Sequence, residues 1–161
     1  MSDQHDNFND TTVKEFKQNI QYLYAKVKIW LKGMAFREEY INIYEEYAVP
    51  YKIAELYIYK DDQFLCKIKP VGAHIIAADG RTDLIGKKDK LSLVFFKESL
   101  NSDTEANDSN EIDSTGINMH TIYEGYEGTG WYVSWGKRNI SLLTETIFFK
   151  AMEKVSGYKH H

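Results

Sequence analysis

A chain of 161 residues has room for one hydrophobic core and little else, and 43% apolar and 14% aromatic residues supply the material to fill it. The single cysteine, Cys66, excludes an intrachain disulfide and any zinc cluster built from the cysteines of one chain. The net charge of −4 is uneven, with −3 on residues 1–10, −6 on residues 98–113 and +5 on the rest, a balance too weak to imply nucleic acid by itself.

Residues 1–10, MSDQHDNFND, read as a flexible acidic tail ahead of a single domain over 11–159. They contain neither a basic leader nor an apolar signal core, and no stretch reaches the roughly 18 consecutive apolar residues of a membrane span. A cytoplasmic protein with no membrane partner is therefore expected. The first folded element is a helix over 12–33, because Val13, Phe16, Ile20, Leu23, Val27, Trp30 and Met34 repeat at alternating spacings of three and four. Thr12 and Glu15 have the form of a capping box, Lys26, Lys28 and Lys32 suit the negative helix end, and Gly33 suits a left-handed cap. Met34, Ala35 and Phe36 would dock the helix end. Such a stripe also has the form of a dimer seam, so a homodimer through the 12–33 helix is one partner reading.

Beyond the helix the period becomes alternating. Strands are predicted near 40–47, 54–59 and 63–69, with Lys60, Asp61 and Asp62 turning between the last two, then at 72–78, 81–85 and 91–97. Connections this short cannot carry parallel crossovers, so the sheet should be an antiparallel meander. Residues 98–116, ESLNSDTEANDSNEIDSTG, have almost nothing to bury and read as a mobile acidic loop. A short strand at 119–123 and another at WYVSW follow, the latter with Trp131, Val133 and Trp135 on one face. Ser141 or Thr144 then caps a last helix whose core face is Ile147, Phe148, Ala151, Met152 and Val155, closed by Gly157. His160 and His161 have the look of a tag remnant. The fold class is α+β: a curved antiparallel meander of six to eight strands with an N-terminal and a C-terminal helix on one face.

Asp79-Gly80, between two alternating runs, has the composition of a two-residue type I′ turn. That register sets Ala78 opposite Arg81, Ile76 opposite Asp83 and His74 opposite Ile85, which gathers His74, Arg81 and Asp83 on one face. An imidazole, a guanidinium and a carboxylate together could make a small enzyme or a nucleotide site, or simply a surface ion pair. Tyr126, Trp131, Tyr132 and Trp135 surround GYEGTG, which has no phosphate-loop spacing, and offer a stacking platform for a nucleic-acid-binding module.

Other chemistry finds less support. Asp103, Glu105 and Asn107 begin like a calcium loop, but Asp108 stands where the turn needs glycine and Ser114 where it needs a bidentate glutamate, so the loop reads as a linker or a polyanionic lure for a basic partner. Asp83 with Phe96, Lys97 and Glu98 lacks the order of a metal-dependent nuclease. Cys66 should point inward, and no serine sits in a GxSxG elbow. No cofactor and no metal is expected. The favoured reading is a non-catalytic cytoplasmic protein that binds a macromolecule, with a protein as partner, in the manner of an immunity-like inhibitor, an antitoxin or an accessory subunit. An enzyme using His74, Arg81 and Asp83 is the alternative.

Overall fold

A computed structural model of the chain describes residues 3–46, 48–75, 78–97 and 123–159. Its first element, α1 (Asp3–Trp30), starts well before the predicted helix. Asp3–Asp10 holds no proline or glycine to stop a helix, and acids in a first turn suit the positive end of the macrodipole. Thr12 therefore lies inside α1 rather than capping it, and Glu15 accepts a bond from Lys97 Nζ at 3.0 Å. The apolar spacing holds: Val13, Phe16, Ile20, Leu23 and Val27 are buried, joined by Tyr24 and Leu31, with Trp30 and Met34 packed at the margin. Gly33 takes the left-handed cap at φ +88°, and Met34 N–H bonds back to the Leu31 carbonyl at 3.1 Å.

Seven strands follow, β1 (Ala35–Ile43), β2 (Tyr51–Lys60), β3 (Gln63–Gly72), β4 (Gly80–Gly86), β5 (Lys90–Phe96), β6 (Gly130–Gly136) and β7 (Asn139–Leu142), and then α2 (Glu145–Ser156). Each strand pairs antiparallel with the next, so the sheet is one open meander in chain order. The predicted α+β class and antiparallel architecture are those of the structure. One sheet face carries Leu56, Ile58, Cys66, Ile68, Leu84, Leu93 and Val133 into the core beneath the two helices. Trp30 of α1 meets Phe148 of α2 with ring centroids 6.0 Å apart. Tyr24 reaches down from α1 to donate to the Ala54 carbonyl at 2.6 Å, a buried bond that ties helix to sheet.

Three strand predictions need correction. The first strand begins at Ala35, not near 40, because the chain is extended as soon as Gly33 ends the helix; Met34 and Phe36 still dock on the core. Of the strand predicted over 72–78, Gly72 closes β3, Ala73 and His74 lie in no strand, Ile75 and Ala78 form an isolated bridge, and residues 76 and 77 lie outside the described residues. Nor is Asp79-Gly80 a type I′ turn. Gly80 lacks the positive φ that such a turn requires and is the first residue of β4, paired with Phe95. It is a glycine for another reason, since a Cβ there would lie 2.7 Å from the Phe16 ring of α1. Asp79 secures the same strand end, its N–H donating to the Phe95 carbonyl and its Oδ2 accepting from Lys97 N–H, both at 2.8 Å. Finally, Ser141 belongs to β7, a strand too short to show alternation, and Thr144 is the N-cap of α2, accepting from Ile147 N–H at 3.2 Å. Gly157 closes α2 as predicted. The acidic loop at 98–116, its calcium reading and nearly all of the strand predicted at 119–123 lie outside the described residues.

The type I′ geometry appears instead at Asp61-Asp62, with φ of +51° and +66° between the paired residues Lys60 and Gln63. Aspartate tolerates this region less well than asparagine or glycine. The double substitution Asp61→Asn, Asp62→Gly should stabilise the fold by about 0.5–1 kcal/mol, read as a rise in the urea midpoint without a change in its slope.

Cys66 is fully buried on β3, and burial pushes its thiol up to about 12. Burial likewise raises Tyr24, and burial with the Glu45 hydrogen bond raises Tyr51. In the unfolded chain the thiol ionises near pH 8.5 and the phenols near 10. The native state thus holds more protons above pH 8.5, so this contribution is complete below that pH and lost as pH rises toward 12. We expect a urea midpoint that is flat from pH 6 to 8 and falls from pH 9 upward. Cys66→Ala should remove the early part of that fall, and native Cys66 should not react with a thiol reagent at pH 8.

Candidate functional site

Along β4, Thr82 and Leu84 enter the core, and Arg81, Asp83 and Ile85 alternate onto the face away from the helices. There Arg81 lies back along its own strand, Nε and Nη2 each 3.1 Å from Asp83 Oδ1. The Ser92 hydroxyl of β5 donates to the same oxygen at 3.4 Å. Asp83 is only 7% exposed, so its charge is balanced by a partner fixed on the same element. His74 does not join them. It sits in the β3–β4 connection, its N–H donating to Glu45 Oε1 at 2.7 Å, and its buried Nε2 has no hydrogen-bond partner among the described residues. Lys67, not His74, stands opposite Ile85, and Gly72 stands opposite Arg81. The structure therefore keeps Arg81 and Asp83 together as a strut, apart from the His74 imidazole. Lys97, the nuclease candidate, pairs with Glu15.

The four aromatic residues divide between the two faces of the sheet. Trp131 and Trp135 lie on the helix side, where Trp131 Nε1 donates to the Asn19 carbonyl at 3.0 Å and Trp135 Nε1 to Ser141 Oγ at 2.8 Å. Tyr126 and Tyr132 pack with Phe96 and Ile140 in a second cluster on the other side. Their rings stack 5.8 Å apart at 17°, and the Tyr132 hydroxyl donates to the Gly128 carbonyl at 2.6 Å and accepts from Glu127 N–H at 2.7 Å. These rings fasten the segment before β6 to the sheet. They do not make one surface on which bases could stack.

Sequence reasoning passed over a buried carboxylate, Glu55 on β2, which is 4% exposed. Its Oε1 accepts from the Tyr57 hydroxyl at 3.0 Å and its Oε2 lies 3.4 Å from Lys67 Nζ. Arg37 covers the Tyr57 ring at 4.7 Å. Tyr57 is raised by burial and by the Glu55 bond; for Lys67 burial acts downward, but Glu55 and Tyr57 outweigh it and the ammonium is raised. Both partners are thereby held in their protonated forms, and the Lys67 ammonium offsets the Glu55 charge. The signal was a lone acid inside the apolar run IAELYIY, and it needed the β2–β3 register to be read.

A second feature lies at the seam of α1 with the other edge of the sheet. Tyr22, Lys26 and Trp30 of α1, Trp131 of β6, and Leu142 and Leu143 at the end of β7 line a half-open groove of about 190 Å3. Trp131 is its floor, held by the Asn19 bond. Lys26 Nζ lies 5.3 Å from the centroid of the Tyr22 ring. Helical spacing puts Ile29 beside Lys26 and Tyr22 on the same flank, and Tyr22 and Ile29 are 59% and 62% exposed. Lysine spaced among aromatics had been read only as macrodipole complement, because the groove exists only once β6 and β7 are placed against α1.

Among the described residues, no group of three His, Cys, Asp or Glu side chains could hold a metal ion, and no helix is long and apolar enough to cross a membrane. No family model, no curated protein and no solved structure matches the chain.

Proposed function

We propose that this chain is a non-catalytic protein that acts by binding another protein, as an inhibitor, an antitoxin-like protein or an accessory subunit does, and that the groove between α1 and the β6–β7 edge is its contact surface. The observation that carries the reading is the pairing of a groove with exposed apolar neighbours. Single exposed apolar residues are ordinary, but Tyr22 and Ile29 flank a recess that already contains two tryptophans and three leucines. At about 190 Å3 the recess falls below the roughly 300–1,000 Å3 of small-molecule pockets, and it suits one inserted side chain of a larger partner.

Site-specific photo-crosslinking in the native cells tests this. A photoreactive phenylalanine analogue at Tyr22 or Ile29 should give one discrete protein adduct. The same probe at Val49, 74% exposed in the β1–β2 connection at the opposite edge of the sheet, should not. Equal adducts at all three positions, or none at Tyr22 and Ile29, would reject the groove as the contact.

A further inference from the structure

We infer that the groove takes an acidic protein segment, one that seats a single aromatic or branched aliphatic side chain against Trp131 and sets a carboxylate on Lys26. The inference rests on the groove being the contact surface and adds the chemistry of its occupant. Residues 16–37 contain five bases, Lys17, Lys26, Lys28, Lys32 and Arg37, and no acid. Two of them are answered by carboxylates within the fold, Lys28 by Glu38 at 2.8 Å and Arg37 by Glu39 at 2.8 Å, while Lys17 and Lys26 lie over the rings of Tyr51 and Tyr22 at 5.6 and 5.3 Å. Lys26 and Lys32 meet no carboxylate within 4.0 Å among the described residues. Lys26 is also, among the described residues, the one charged side chain in the groove wall. Its ammonium lies 5.3 Å from the centroid of the Tyr22 ring, so a partner that covers the groove strips water from a positive charge. A carboxylate beside the inserted side chain removes that cost and supplies a charge-assisted hydrogen bond.

The same charges argue against other occupants. A second copy using this same face in a two-fold contact would add another Lys26 ammonium and no carboxylate from its own groove wall. A single nucleic-acid strand would find one lysine in the lining and a buried tryptophan where it needs a cationic track with exposed rings.

Peptides selected from a random 12-residue phage library on the full chain, then measured as labelled synthetic peptides by fluorescence anisotropy, test the inference. Selected peptides should carry Asp or Glu within four residues of Trp, Phe or Leu. Their affinity should fall at least tenfold with Lys26→Glu, fall severalfold between 50 and 300 mM salt, and stay unchanged with Lys69→Glu on the far face of the sheet. Neutral or basic selected peptides that still lose affinity with Tyr22→Ala, Ile29→Ala would overturn the acidic occupant and leave the groove standing. Peptides indifferent to that double variant would remove the groove reading itself. Displacement of the peptides by an equimolar dT12 oligonucleotide would reassign the site to nucleic acid. A doubled sedimentation mass that returns to monomer with Ile29→Glu would reassign it to a second copy.

Discussion

Gly86→Ala should lower the melting temperature by about 10 °C, corresponding to a loss of about 3 kcal/mol in a chain of this size. Gly86 ends β4 where the β4–β5 turn meets the last turn of α2. The Val155 carbonyl there accepts from Lys88 N–H at 2.8 Å and from Asp89 N–H at 3.2 Å. A Cβ on Gly86 would lie 2.5 Å from the Val155 carbonyl carbon and closer still to its oxygen. Both obstacles are backbone, so no rotamer change relieves them. Either α2 shifts outward, opening the core around Phe148, Met152 and Val155, or the turn lifts and loses both bonds. Gly33→Ala is the control, because a Cβ there meets nothing within 4 Å and only its φ of +88° is strained; it should cost about 1 kcal/mol. Equal losses at the two positions would show that close approach to α2 is not what selects glycine at 86.

Elements with a long regular period were legible in the sequence. The α1 stripe, the WYVSW face and the Phe148, Ala151, Met152, Val155 face of α2 are each set by several side chains acting together, and tertiary packing had no reason to override them. Turns were legible only in composition. Asp79-Gly80 has the better type I′ chemistry, yet the turn of that geometry sits at Asp61-Asp62, because the approach of Phe16 and the pairing with Phe95 claim Gly80 for the strand. That one shift of register removed His74 from the candidate constellation while leaving Arg81 and Asp83 on a common face, since those two share a strand whatever its partner is. The aromatic platform failed for a similar reason. Adjacent residues Trp131 and Tyr132 cannot both face one side of a strand, and only the pairing with β5 and β7 shows that both sides are covered. The groove needed α1 and the β6–β7 hairpin, which are far apart in sequence, and no local pattern announces that.

Glu45→Ala should cost about 3 kcal/mol, although nothing in the sequence singled out this residue. Its carboxylate accepts from the Tyr51 hydroxyl, from Ala73 N–H at 3.0 Å and from His74 N–H at 2.7 Å. Ala73 and Tyr51 are buried, so removing the acceptor strands donors that water does not readily reach. Gly72 keeps the space for this contact, since a Cβ there would lie 2.6 Å from Glu45 Oε1. One side chain from the β1–β2 connection thereby holds the two residues that follow β3, Ala73 and His74, through their backbone amides. Glu45→Gln should cost less, about 1–2 kcal/mol, because one oxygen still accepts. The cycle with Tyr51→Phe should be less than additive by about 1 kcal/mol, the phenol being one of the stranded donors. Amide exchange separates this brace from a general loss of stability: Ala73 and His74 should lose protection in Glu45→Ala well before Leu93 and Val133 at the centre of the sheet. If all four amides lose protection together, the β3–β4 connection is held by the sheet as a whole and Glu45 is only one of its contacts.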